Sequence, residues 1–136
     1  MIIIDTSAFM KFLLHEKGWQ EVHRYLTTAL SPASVDLLVI ESANVLWKSV
    51  RQGFIQTEQA TELYAAMELL YTQGPLVLEP ATQYSSDALA IAFSQEIPVY
   101  DALFIAQARA FHTTLVTSDR QQARCAEKCA VQTILV

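Results

Sequence analysis

Apolar residues recur along this chain in two alternating rhythms, short unbroken runs and longer stretches spaced at three and four. Ile2-Ile3-Ile4 is the clearest short run: three β-branched residues in a row read as a strand buried on both faces, as in the middle of a parallel sheet. Further short strands are expected at Val35 to Val39, Leu76 to Pro80, Thr114 to Val116 and Ala130 to Val136. The stretches between them have helical spacing. Ala8 to Leu14 carries Phe9, Met10, Phe12, Leu13 and Leu14, and after Gly18 a second helix is expected from Trp19 to Ala29. Ile40 to Gln52 has one stripe, Ile40, Ala43, Leu46, Trp47 and Val50, stopped by Gly53. Thr57 then caps a long helix with Ala60, Leu63, Tyr64, Met67, Leu70 and Tyr71 on one face, ended by Gly74-Pro75. Helices are also expected at Thr82 to Gln95, Asp101 to Phe111 and Arg120 to Lys128.

Strands alternating with helices, without a hairpin signal, linker or repeat, call for an α/β fold: a parallel sheet covered by helices on both faces. The 136 residues fit one domain, 1–136. With 52% apolar and 17% charged residues there is material for a core and too little charge for disorder. No apolar run approaches the ~18 residues of a membrane span. The N-terminus enters a strand directly, without a basic lead or cleavage site, so no secretory signal and a cytoplasmic location are expected. Cys125 and Cys129, four apart, read as small packing residues, since His15, His23 and His112 offer no ligand spacing to complete a metal site.

The net charge of −5 argues against a protein that binds nucleic acid through bulk electrostatics. It leaves room for a nuclease whose excess acids hold metal. Four acids share a placement. Asp5 and Asp119 each follow a β-branched strand, while Glu41 and Asp101 are each expected in the first turn of a helix. Right-handed crossovers bring such junctions to one edge of a sheet, where open α/β sheets hold ligands. Each acid alone reads more readily as a structural residue at a helix N-terminus, a cap or a partner of the dipole. Gathered together they repel, by ~4 kcal/mol per pair at 4 Å and an effective dielectric of 20, so protons or cations must neutralise them. Oxygen-only donors select a hard cation, Mg²⁺ or Mn²⁺, and such ions suit phosphodiester hydrolysis.

These residues carry a resemblance. Ile4-Asp5-Thr6-Ser7-Ala8, Glu41-Ser42-Ala43-Asn44-Val45-Leu46, Tyr100-Asp101-Ala102-Leu103-Phe104-Ile105-Ala106 and Leu115-Val116-Thr117-Ser118-Asp119-Arg120 together resemble the signature of the PIN-domain family, most similar to its VapC-type toxin ribonucleases. The resemblance spans essentially the whole chain. It implies an α/β/α sandwich with a five-stranded parallel sheet and Mg²⁺- or Mn²⁺-dependent RNA cleavage. Asp5, Glu41, Asp101 and Asp119 would be the metal-binding acids, with Thr6 or Ser7 and Thr117 orienting a ligand carboxylate or water. It further implies a homodimer and a cognate antitoxin covering the acidic pocket.

Two departures stand out. Many relatives carry another acid shortly after the fourth, whereas Arg120, Gln121, Gln122 and Ala123 follow Asp119 here. Basic residues are sparse, and Lys11, Lys48, Arg51 and Arg120 are the candidates nearest the junctions for RNA contact. Asn44, one helical turn beyond Glu41, is a candidate to hydrogen-bond a ligand carboxylate. The competing readings are a phosphatase-like α/β domain with Asp5 as nucleophile, weakened by Ser7 where a second aspartate belongs, and a non-catalytic PIN-like interaction module.

Overall fold

Ile2–Ile4 forms β1, the central strand of a five-stranded sheet in which every neighbouring pair is parallel. The computed structural model describes Met1–Val136. After β1 come α1 (Thr6–Leu13), α2 (Trp19–His23), β2 (Pro32–Val35), α3 (Leu37–Arg51), α4 (Thr57–Thr72) and β3 (Val77–Glu79). They are followed by α5 (Ser85–Gln95), α6 (Val99–Ala110), β4 (Leu115–Thr117), α7 (Arg120–Lys128) and β5 (Thr133–Leu135). The strand order is β3-β2-β1-β4-β5, with Ile3 level with Ala33 on one side and Leu115 on the other.

The chain winds outward from β1 to β3, then returns across the sheet to β4 and β5. Right-handed crossovers place α1 to α4 on one face and α5 to α7 on the other. The packing agrees: α1 lies against α2 and α3, α3 against α4, and α5 along α6. The middle of the sheet is therefore closed on both sides, and Ile3 and Ile4 have no exposed surface. On the second face α6 is the buried layer, with Ala102 to Ala108 all enclosed. The order reverses between β1 and β4, so the carboxyl ends of these two strands flank the crevice where such sheets hold ligands.

Several boundaries differ from the pattern-based expectation. The second strand is Pro32–Val35, where the apolar pattern predicts Val35 to Val39. Pro32 can open a strand because no ladder donor is required there. Ser34, which hides the strand from an apolar reading, is fully buried and donates to the Ile4 carbonyl at 2.7 Å. The run Leu37-Leu38-Val39-Ile40 instead begins α3, an ambiguity that apolarity alone does not resolve. Glu41 consequently falls in the second turn of α3, not the first. The buried face of α3 is Leu38, Ser42, Leu46 and Ser49, while Ile40 and Trp47 of the expected stripe are 68% and 57% exposed.

Elsewhere the changes are smaller. Helix α1 starts at Thr6, two residues ahead of Ala8, because Asp5 caps it. Helix α2 ends at His23 and a separate 3₁₀ turn covers Thr28–Leu30. Gln56, not Thr57, precedes α4, and its N–H donates to Oε1 of Gln59 at 2.9 Å. A 3₁₀ turn at Ala81–Tyr84 precedes α5, α6 begins at Val99, and β5 is confined to Thr133–Leu135. Cys125 and Cys129 are free thiols on and just after α7. No single helix is long and apolar enough to cross a membrane.

Candidate active site

Asp5 follows β1 and is 1% exposed, yet it is a carboxylate. Its backbone N–H pairs with the Val116 carbonyl at 3.1 Å, which continues the β1–β4 ladder past the end of β1. Its Oδ1 accepts the Ala8 N–H at 2.8 Å and the Ser7 hydroxyl at 2.7 Å, and its Oδ2 accepts the Thr117 hydroxyl. Asp5 is thus both the α1 cap and a member of a polar network, so the two readings of this residue are compatible. Across the crevice, Ser7 Oγ accepts the Ser118 N–H at 2.9 Å, and Thr117 Oγ1 accepts the Asp119 N–H at 3.0 Å. Two junctions distant in sequence are joined through three side chains.

Asp119 in turn caps α7, with Oδ1 accepting the N–H groups of Gln121 and Gln122 at 2.7 and 3.0 Å. Glu41 is held by Thr6, whose hydroxyl donates to Oε1 at 2.7 Å. These bonds leave Oε2 of Glu41 and Oδ2 of Asp119 without a protein donor. Asp101 lies in the first turn of α6.

Asp5, Thr6, Ser7, Glu41, Asp101 and Asp119 line one pocket of about 230 Å³, with Met10, Val45, Phe104 and Gln122. The apolar members lower the local dielectric and strengthen every charge interaction inside. Burial pushes the Asp5 carboxyl up to about 6 against the pull of the Ala8, Thr117 and Ser7 donors, and Asp119 adds to the rise. Glu41 is raised by burial, opposed by the Thr6 bond, and raised again by the charge of Asp101. Asp101 is raised by burial and then by Asp119. Charge repulsion therefore links the four acids, Glu41 to Asp101, Asp101 to Asp119 and Asp119 to Asp5, and no cationic side chain contributes to the shifts.

The donors are all oxygen, as a hard divalent ion requires. Their mutual repulsion is the electrostatic condition a cation relieves. In the conformations seen, no group of three acidic, histidine or cysteine side chains stands close enough to hold an ion. The acids fit a divalent cation in kind and in shared location, and the unbonded oxygens of Glu41, Asp101 and Asp119 are the ones available to turn toward it.

The remaining candidates separate from the pocket. Asn44 is exposed on α3 and does not line it. Neither do Lys11, Lys48, Arg51 or Arg120. Lys11 lies over Gly18, with its Cε 3.5 Å from where a Cβ would stand. Lys48 and Arg51 are seven and ten residues beyond Glu41, about 10 and 15 Å along the helix. Arg51 is 5.5 Å from the centre of the Trp47 ring. Arg120 is exposed as the first residue of α7.

Gln122 is a pocket residue that the sequence pattern does not single out; there it is only one of the residues that follow Asp119. It is 5% exposed and its Nε2 donates to the Asp101 carbonyl at 3.3 Å, so α7 and α6 meet through it. The available signal is helical: a residue three beyond an N-cap aspartate lies on the turn that the cap faces.

Comparison with known proteins places this site in context. The model of the PIN domain family matches residues 2–128. Over 122 residues the chain is 30% identical to Ribonuclease VapC3 of Pyrobaculum aerophilum, an alignment covering 90% of this chain and 92% of that protein. Among solved structures, VapBC2 from Rickettsia felis bound to a DNA fragment from their promoter superposes with a TM-score of 0.68 at 16% identity, covering 100% of this chain and 99% of that one. FitAcB from Neisseria gonorrhoeae gives a TM-score of 0.60 at 16% identity, covering 98% and 96%.

Proposed function

The chain belongs to the PIN-domain family, and on that premise we propose that it is a single-domain, metal-dependent endoribonuclease, the toxin of a type II toxin–antitoxin pair. The observation that carries the reading is the linked repulsion of four carboxylates from four elements inside one pocket. The kinship with Ribonuclease VapC3 supports RNA as the substrate, and the proposal includes a homodimer under the control of a cognate antitoxin protein in the cytoplasm.

In this reading Asp5, Glu41, Asp101 and Asp119 hold Mg²⁺ or Mn²⁺. The chemistry such an ion would supply there is activation of a water for attack on the phosphodiester and relief of charge on the phosphate. The chain does the rest. Ser7 and Thr117 fix both oxygens of Asp5, so this acid enters the site with one orientation. Thr6 holds Oε1 of Glu41 and leaves Oε2 without a protein donor. Phe104, Val45 and Met10 supply an apolar part of the lining beside the acids.

The test is incubation of purified protein with mixed structured RNAs in Mg²⁺ or Mn²⁺, with Asp5→Asn and Asp101→Asn alongside. Cleavage by the wild type and its loss in both variants is expected. Unchanged cleavage in both would remove these residues from the mechanism. The non-catalytic interaction module draws on one observation, that no three acids already stand close enough to hold an ion. Absence of cleavage in either metal, with copurified inhibitor excluded, would favour it.

A further inference from the structure

Positive charge is unevenly distributed along the chain. Residues 109–136 carry four Lys and Arg against two acids, whereas residues 1–108 carry five against twelve. Arg120, Arg124 and Lys128 recur at every fourth position of α7, so they share one face of the helix. All three are exposed, while Gln122, Ala123, Cys125 and Ala126 take the buried face. Glu127, the acid within α7, is engaged with Thr133, whose hydroxyl donates to Oε1 at 2.9 Å. Arg109 lies near its far end, lining one cavity with Cys129, the residue that closes α7.

The row starts at the pocket. Arg120 directly follows Asp119, and α7 leads away from the carboxyl end of β4. At ~1.5 Å of rise per residue, neighbouring charges are ~6 Å apart and the row is ~12 Å long. That spacing is comparable to the separation of successive phosphates in an extended strand. The other basic residues make no such row: Lys11 covers Gly18, Lys48 and Arg51 are a single pair at the end of α3 with Arg51 over Trp47, and Lys17 and Arg24 lie around α2.

We propose that α7 is the track for the RNA backbone, with Arg120, Arg124 and Lys128 each beside a successive phosphate on one side of the scissile bond. The proposal rests on the ribonuclease reading above and adds the direction in which the strand leaves the site. A chain of net charge −5 needs such a feature, because its overall field opposes a polyanion. Arg forks and a Lys ammonium suit phosphate oxygens, and the exposed residues of α7 include no aromatic on which bases would stack.

The test is fluorescence anisotropy with a labelled, phosphorothioate-linked single-stranded RNA in Mg²⁺ across a range of KCl. Each lost phosphate contact lowers the slope of log K against log[salt] by about 0.7, so Arg124→Gln with Lys128→Gln should lower it by about 1.4 and weaken binding about tenfold. Arg124→Lys with Lys128→Arg should keep the wild-type slope, which separates charge from folding. Lys17→Gln with Arg24→Gln should leave both slope and affinity unchanged. If the wild type cleaves RNA while the Gln pair on α7 binds with unaltered slope and affinity, the track is overturned and the row is left for an acidic protein partner. An equal loss in the Lys17/Arg24 pair overturns it as well. If the wild type neither binds nor cleaves RNA, the ribonuclease reading fails and takes the track with it.

Discussion

Thr117 donates its hydroxyl proton to Oδ2 of Asp5, joining the ends of the two strands that flank the crevice. Ser7 donates to Oδ1 at 2.7 Å, and the two hydroxyl oxygens lie 3.2 Å apart. Each hydroxyl has one proton, and both are directed at the carboxylate. The pair is arranged around the ionised form of Asp5. Thr117→Val keeps the shape and removes one donor to Asp5, together with the acceptor of the Asp119 N–H. In the metal-free protein the Asp5 carboxyl should then titrate above its present value of about 6, a shift that NMR titration of the carboxyl in EDTA reads. Activity should fall about 10- to 100-fold, as for other partners of metal ligands. A Val variant whose Asp5 carboxyl titrates where the wild type's does would show that the Thr117 hydroxyl does not hold the ionised form.

Asp5 also makes the metal-free protein sensitive to pH, with a definite sign. Its folded-state value, about 6, exceeds the ordinary 3.8, so between those values the folded state holds more protons than the unfolded chain. Stability contributed by the protonated acid is present below pH 3.8 and is lost as pH rises through about 6. The loss is about 3 kcal/mol at most. Asp5→Asn removes the charge, and its amide can still accept from Ser7 and Ala8 while donating to Thr117. In EDTA at neutral pH, urea denaturation should find the Asn variant more stable than the wild type, with the gap closing on acidification. A variant less stable than the wild type at every pH would mean that the ionised carboxylate is a net stabiliser.

How much of this is legible in the sequence depends on what each residue shows to its neighbours. Ile2-Ile3-Ile4 announces a doubly buried strand because all three side chains are apolar. Pro32-Ala33-Ser34-Val35 does not, since its buried hydroxyl is satisfied by the Ile4 carbonyl, a bond between distant segments. The four acids can be placed at element ends by pattern alone, and the structure brings them to one pocket. The turn on which Glu41 lies cannot, because Leu37 to Ile40 satisfies strand and helix equally. Trp47 and Ile40 show the reverse: apolar spacing predicts burial, yet the hydroxyl-bearing face of Ser42 and Ser49 is the one that packs inward. Gln122 escapes a pattern reading because a neutral amide is seldom buried unless paired, and its partner, the Asp101 carbonyl, is a backbone atom.

Metal removal should weaken RNA binding. Two divalent ions would cancel four of the five net negative charges, and without them the pocket presents like charge to the phosphate. Anisotropy titrations in EDTA and in Mg²⁺ should differ at least about tenfold in Kd, a difference of about 1.4 kcal/mol. Tight binding in EDTA would count against metal-mediated recognition of the scissile phosphate.

Gln122 offers a direct test of how many ions the site accepts. Its side chain lines the pocket between α7 and α6, and Asp119 Oδ1 accepts its backbone N–H. Gln122→Glu supplies an acid at nearly constant volume, three residues after Asp119. In the metal-free protein the new charge joins Glu41 and Asp101, which are already raised by burial and then by neighbouring acids, so the variant should be less stable in EDTA at neutral pH. With Mn²⁺ added the sign should reverse, since a ligand that binds only the folded state stabilises it by mass action. Isothermal titration with Mn²⁺ should find tighter binding, or a second ion where the wild type takes one. An Mn²⁺ isotherm identical to the wild type's would place the introduced carboxylate outside the coordination sphere and leave the role of Gln122 to its bond with the Asp101 carbonyl.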